Sequence, residues 1–400
     1  MSLDLHNVLP QIQSMATTMR QRHSDQKAQV QIGFTSLISA ESTRLEKKRT
    51  ESKVTWLIGI AHDQISAKSV ASNLPKPHTV VAVDGSHIDV DRHSPARCYL
   101  INIGTCQLTY GPEADAKLSS QATLYATDQD LVISDPESSR TQQIEGPLLG
   151  LKRTILEITS LANALETLPD GGPVVGLLDG SLILWELASQ AYPDFIRRHL
   201  LHKGLLPALD RLHEEASSRP LALAAYISLP RSTDVVNLLR LHHCPYEPAN
   251  CDLHCRQIPA GQRGCDPVNG LLDRDIFGSY LDPGERSQVF GTTSQIVQQY
   301  YGIHQVYFFY VNTGEEIGRV EIPQWVARDP DRLDLVHTLI LDQCNRGQGY
   351  PVALSEAHEQ AVVTAADRLH FEHLVEETLQ LEMLPTSTSQ KSRSKRTRWV

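Results

Sequence analysis

Residues 80–89 read VVAVDGSHID, and residues 174–187 read VVGLLDGSLILWEL. Each begins as an apolar run of the kind that forms a strand buried on both faces, and each run ends in Asp-Gly-Ser. A third apolar run, PLALAAYISLP at 220–230, follows them. Between the first two, GPLLGLKRTILEITSLANALETL (146–168) places apolar residues at helical spacing and is closed by Asp170-Gly171-Gly172. Apolar strands alternating with amphipathic helices predict a mixed α/β sheet covered by helices.

The rest of the chain extends this pattern. CYLINIGTCQLTY (98–110) is rich in strand formers, and 111–145 is polar and turn-rich. Helices are predicted after the second Asp-Gly-Ser (through Leu182, Leu184, Trp185 and Leu187), over 199–217, and over STDVVNLLRLHH. HQVYFFYVNTG and GRVEIPQWV make a hairpin across Asn312-Thr313-Gly314. Two more helices are expected over 331–346 and 355–380, with GYPVALS as a strand between them. Residues 1–75 read as helical, either a solvated arm or a surface for a partner or DNA, and NLPKPH (73–78) reads as a linker. The expected organisation is a helical region (1–75), a main domain (76–380) carrying a cysteine-rich insertion (242–266), and a basic, disordered tail (381–400).

Composition narrows the class. The 400 residues are 40% hydrophobic with a formal net charge of -10. That is enough for a sizeable core, and it leaves no overall basic field for nucleic acid. Basic stretches are local, at 44–53 (RLEKKRTESK) and 391–398 (KSRSKRTR). An acidic average is compatible with a nucleic-acid enzyme whose carboxylates hold metals, because the metals reverse the local charge. No long apolar run predicts a membrane span, and the first fifteen residues lack the pattern of a secretory signal, so a cytoplasmic chain is expected. Seven cysteines, an odd number, argue against a disulfide framework.

The doubled motif carries the chemistry. In open α/β sheets functional groups gather at the carboxyl ends of strands, where this reading puts Asp84 and Asp179. A glycine after each lets the chain turn, and a serine can bond the turn. Two aspartates on neighbouring strand ends can share Mg²⁺ or Mn²⁺, and two such cations serve in-line attack on a phosphodiester. Asp-Gly after a strand is otherwise simply a turn. Glu157, near the edge of the buried face of its helix, and His358, read as lying in the first turn of a helix capped by Ser355, are further candidate ligands. The plain alternatives are an exposed helix glutamate and a surface or capping histidine.

At these points the chain resembles the NurA nuclease family, which takes part in processing DNA ends. The resemblance rests on AVDGS (Asp84), the helix with Glu157, LLDGSL (Asp179), LDPGERSQVF (281–290) and YPVALSEAHEQAVV with His358, and it covers about residues 75–375. It implies an RNase H-like core and a Mn²⁺- or Mg²⁺-dependent DNA nuclease, commonly a 5′→3′ exonuclease. It also implies Asp84, Glu157, Asp179 and His358 as the metal-binding and catalytic set, a HerA-type hexameric ATPase as partner, and a homodimer. The chain departs from the family where a lysine is usual after the third strand, and Arg231 stands there as a candidate phosphate contact. His87 stands where many members have arginine. A catalytically inert adaptor on the same fold and a small-molecule phosphohydrolase are the alternatives.

One motif lies outside the family pattern. HHCPYEPANCDLHCRQIPAGQRGC (242–265) holds Cys244, Cys251, Cys255 and Cys265, four of the seven cysteines. Such a set suits a structural Zn²⁺ or an iron–sulfur cluster, against free cysteines in a polar loop.

Overall fold

The structure is a computed structural model that describes residues 5–90, 96–169, 171–188 and 192–384. The expected basic tail beyond 384 and Asp170 lie outside the described residues. The chain forms two compact units, one of residues 1–71, 227–294 and 306–321, the other of residues 72–226, 295–305 and 322–400.

The second unit is built on five strands: β1 (His78–Ile88), β2 (Tyr99–Tyr110), β3 (Asp115–Tyr125), β4 (Val174–Asp179) and β5 (Leu221–Ile227). Their order across the sheet is β5-β4-β1-β2-β3. β1, β2 and β3 form an antiparallel meander, while β4 runs parallel to β1 and β5 parallel to β4. This is the RNase H-like arrangement, a mixed sheet flanked by helices. The parallel strands β4 and β5 are buried along nearly their whole length, as their continuous apolar runs require. Helix α1 (Pro147–Glu166) packs on β1 and buries Leu151, Ile155, Ile158 and Leu161, Leu161 lying over Gly176 of β4 and Ile155 beside Gly204, and helix α2 (Leu206–Ser218) packs on α1. Helices α3 (Pro330–Arg346) and α4 (Val352–Ala361) follow, and α4 lies across β1 and β2.

Several local expectations are corrected. The first Asp-Gly-Ser does not end its strand: β1 continues to Ile88, paired with β2 throughout. The second is followed by a single 3-10 turn, Trp185–Leu187, and not by a helix. The polar stretch after 111 contains β3, which is exposed on both faces at the sheet edge and so lacks apolar alternation. GYPVALS is no strand, because Pro351 is followed directly by α4. Two short strands, Gly59–Ala61 and Lys68–Val70, interrupt the stretch read as helical.

The first unit has its own core. Helix Leu9–Ser39 leaves Leu9, Ile12, Met15 and Met19 exposed, as an arm would. At its far end Leu37 is buried, and so is Leu45 of helix Ser42–Glu51, in a cluster with Phe277, Phe290, Phe308 and Tyr310. Helix Asp234–His243 and the hairpin strands Val306–Asn312 and Ile317–Pro323 complete it, the hairpin turning at Asn312-Thr313-Gly314 as expected.

The close seat of α4 on β2 depends on Gly104. A Cβ there would lie 2.3 Å from the Ala357 carbonyl oxygen and 2.4 Å from the Ala361 nitrogen, both rigid backbone atoms. Gly104→Ala must therefore displace α4. Such overpacking costs roughly 1–3 kcal/mol, and the expected result is a lower melting temperature together with reduced activity. Unchanged melting would show that the helix is not held at this distance.

Candidate active site

The level at which β4 stops defines the site. Val83 of β1 is paired on one side with Leu178 of β4 and on the other with Thr105 of β2; beyond it β1 is paired with β2 alone. Asp179 is the last residue of β4, and Gly180 (φ 90°) then turns the chain, its N–H donating to the Tyr226 carbonyl at 3.0 Å. Since 83 and 178 are partners, Asp84 and Asp179 are neighbours whose side chains share one face of the sheet.

His358 reaches that face from α4. It is the seventh residue of the helix, one turn from its C-terminal end, and Ser355 is not its cap. The expected first-turn position is thus corrected, together with the argument that a helix N-terminus keeps the ring neutral. The ring is fixed instead by Nδ1 standing 2.7 Å from Asp84 Oδ2. An ionised carboxylate only accepts, so Nδ1 donates here, and in the neutral ring the lone pair is on Nε2. The side chain is otherwise exposed. The same helix is anchored to the sheet at its end: Ser86 Oγ donates to the Ala361 carbonyl, and Asn102 Nδ2 donates to the carbonyls of Gln360 (3.1 Å) and Ala361 (2.9 Å).

Glu157 approaches β1 from the opposite face. A Cβ at Gly85 would lie 2.6 Å from Glu157 Oε1 and 3.0 Å from Arg153 Cγ, so the glycine of the first Asp-Gly-Ser admits Glu157 and does not turn the chain. Glu157 is 6% exposed, and its Oε1 accepts no hydrogen bond. Arg153 Nε stands 3.0 Å from that oxygen as an ion pair, but its N–H is not aimed there. Burial pushes the Glu157 carboxyl up to about 7; Arg153 opposes the rise, and Asp84 and Asp179 add to it. Asp179 is exposed to water at the end of β4, yet protein atoms crowd its carboxyl. That desolvation raises its pKa, the Tyr350 hydroxyl bonded to it opposes, and Asp84 raises it further.

Tyr350 went unnoticed in the sequence. Its ring packs edge-on against Tyr226, the residue opposite Asp179 in the β4–β5 register, with centroids 5.8 Å apart. The available signal was a tyrosine directly after Gly347-Gln348-Gly349, a turn entered from a helix. His87 is half-buried beside Arg153, and burial and that charge lower its pKa.

A divalent cation fits these residues. A buried carboxylate oxygen with no hydrogen-bond donor, in the field of two further carboxylates, is relieved by positive charge. Oxygen donors with one imidazole suit Mg²⁺ or Mn²⁺. Among the described residues no three His, Cys, Asp or Glu side chains already converge as a ligand set, consistent with Glu157 entering from the other face. Arg231 is exposed and belongs to the first unit, whereas the four residues above belong to the second. Cys244, Cys251, Cys255 and Cys265 all lie in the first unit: burial raises the Cys255 thiol's pKa, and the charges of Cys251, Cys265 and Cys244 raise it further.

The model of the NurA domain family matches residues 78–363, which include Asp84, Glu157, Asp179 and His358. The chain belongs to the NurA family. That membership gives it a nuclease-type function. No curated protein matches it in sequence. Among solved structures it is similar to a crystal structure of NurA with manganese, at 14% identity over 78% of this chain and 91% of that one, with a TM-score of 0.34. It is also similar to Drosophila Piwi (10% identity, 72% and 30% covered, TM-score 0.28) and to LC9-RNase H1 (7%, 41% and 69%, TM-score 0.21). At these scores the likenesses carry no argument, and the assignment to NurA stands on the family match. No described helix is long and apolar enough to cross a membrane.

The raised carboxyl of Glu157 has a testable sign. The unfolded group ionises near 4.5 and the folded one near 7, so the folded state holds the extra proton between these values and stability falls as pH rises through them. The loss attributable to this group is roughly 3 kcal/mol at most. Metal-free protein should therefore be less stable at pH 7.5 than Glu157→Gln by an amount that shrinks towards about pH 4.5, and Mn²⁺ should restore the native chain alone. Parallel pH–stability curves for the two proteins would contradict the assignment.

Proposed function

We propose that this NurA chain is a DNA nuclease that hydrolyses phosphodiesters with Mn²⁺ or Mg²⁺ and acts in the processing of DNA ends during double-strand break repair. The observation that carries the reading is the placement of Asp84, Asp179 and His358 on one face where β4 stops, with Glu157 approaching from the other face against Gly85. Asp84, Asp179 and Glu157 would hold the cations, two by the number of carboxylates, with His358 completing the set. When bound, such ions supply Lewis acidity at the phosphodiester.

The side chains have separable tasks. Asp84 would hold a cation and, through its contact with Nδ1, fixes the imidazole of His358. His358 then presents Nε2 to solvent, placed to take a proton or to ligate. Tyr350 orients the Asp179 carboxylate by donating its hydroxyl hydrogen, the kind of outer contact that tunes a ligand. Arg153 offsets the charge of buried Glu157. DNA as substrate, 5′→3′ polarity, a HerA-type ATPase partner, a homodimer and a cytoplasmic location rest on the family resemblance, and Arg231 is a proposed phosphate contact on the same ground.

Two sets of variants test the proposal. Asp84→Asn and Asp179→Asn each remove a ligand without removing a core contact, and each should cut Mn²⁺-dependent cleavage of a DNA oligonucleotide by roughly a thousandfold or more, the effect of several kcal/mol of lost charge stabilisation. Melting temperature should stay near that of the native chain. Cleavage at native rate by either variant, or hydrolysis of mononucleotides in preference to DNA, would sink the reading. His358→Ala should slow cleavage by about tenfold or more with little change in melting. Normal activity with a large loss of stability would make it a helix-anchoring residue only.

A further inference from the structure

We infer that Cys244, Cys251, Cys255 and Cys265 form a structural zinc site that holds the loop between helix Asp234–His243 and helix Asp273–Tyr280. The loop needs such a holder. Across residues 245–269 the only buried apolar side chains are Ala249 and Val268, too little to fix about 25 residues by packing alone. Its regular structure is one turn of helix, Cys251–His254, and a 3-10 turn, Asp266–Val268.

Independent contacts bring the four cysteine-bearing segments into one neighbourhood. Cys244 caps helix Asp234–His243, and its carbonyl is pinned by Lys48 Nζ at 2.7 Å. Cys251 and Cys255 lie one helical turn apart on one face, with the Cys255 N–H donating to the Cys251 carbonyl at 2.9 Å. The rings of Tyr246 and His254 stack with centroids 4.3 Å apart and planes 8° from parallel, which ties the chain after Cys244 to the Cys251–His254 turn. Cys265 is brought in by Gly264: a Cβ there would lie 2.9 Å from Pro245 Cδ and 3.0 Å from the His243 carbonyl oxygen, so only glycine lets this segment rest beside Cys244. Asp266 Oδ2 orders the approach by accepting from the N–H groups of Gly261 and Arg263, at 2.6 and 2.8 Å.

The chemistry selects the ion. All four cysteines are free thiols and each is partly accessible. Four thiolates match the tetrahedral preference of Zn²⁺. On binding, each S–H gives its proton to solvent and each sulfur donates a pair to the metal, with no change of oxidation state. Among the described residues no ligand set is preassembled, so metal binding would draw the four sulfurs closer. Arg263, which already acts electrostatically on Cys255, is placed to offset the excess negative charge of a tetrathiolate.

The full chain, purified under reducing conditions, tests this independently of nuclease activity. Elemental analysis should find about one zinc per chain, retained in an Asp84→Asn/Asp179→Asn double variant and lost in Cys251→Ser/Cys255→Ser. Replacing the zinc with Co²⁺ should give the intense visible bands of a tetrahedral cobalt–thiolate centre. This measurement on the native sequence decides the matter even if the cysteine variant fails to fold. A folded native chain that holds no zinc and gives no cobalt–thiolate spectrum overturns the proposal. So does an iron–sulfur absorption, or a disulfide among these cysteines.

Discussion

Helix α4 lies nearer to β2 than any side chain at position 104 would allow, and the arrangement of the site follows from that approach. With Gly104 beneath it, the helix can offer its last carbonyls to Ser86 and Asn102, two polar groups on β1 and β2. Asn102 is itself held by Ser120 of β3, whose Oγ donates to Asn102 Oδ1 at 2.9 Å. The imidazole of His358 then arrives over Asp84, the register partner of Gly104. One missing Cβ thus positions a helix, and the helix positions a candidate ligand. The histidine needs no cap or turn of its own, which is why it can be exposed and still be oriented.

The second constraint is the burial of Glu157. An unpaired carboxylate in such surroundings is expensive, and the rise of its pKa to about 7 expresses that cost. Arg153 offsets part of it, in a geometry that leaves Oε1 without a hydrogen bond. A protein built for stability alone would place a leucine there. An ionisable group on α1 seated against Gly85, the residue after Asp84, accepts lower stability in the metal-free state; under the proposed function the return would be affinity towards a cation.

The sequence was most legible where one residue type had one physical reason to be there. The apolar runs at 174–179 and 221–227 read as buried strands, which they are, and the first located Asp179 correctly at a strand end. The same motif misled at Asp84. Asp-Gly-Ser reads as a turn, but the glycine serves a helix about 70 residues away in sequence, a contact that no local pattern records. His358 was misplaced along its helix because Ser355 resembles an N-cap, whereas Pro351 had already set the helix start, as proline does. Tyr350 was missed since its importance arises only from the β4–β5 register that brings Tyr226 opposite Asp179. β3 was unreadable for a simpler reason: a strand exposed on both faces carries no alternation.

The first unit shows the same economy around one helix. Helix Asp234–His243 is held at its N-terminus by Asp273, whose carboxylate accepts from Val235 and Val236 at 3.1 and 2.7 Å and from the Tyr310 hydroxyl at 2.6 Å. Arg319 lies between Asp234 and Glu321, at 3.1 and 3.0 Å, and over the ring of Phe308. Carboxylates at this end and the ammonium of Lys48 on the carbonyls of Leu241 and Cys244 at the other both agree with the helix dipole. Buried charges of this kind add little net stability but tolerate few alternative packings. The cysteine loop leaves the helix at Cys244, the carbonyl that Lys48 fixes, so a metal bound there would start from a ligand already held at both ends of its supporting element. Such an anchor would let a metal gather the four cysteines of an otherwise polar loop that has no hydrophobic core of its own.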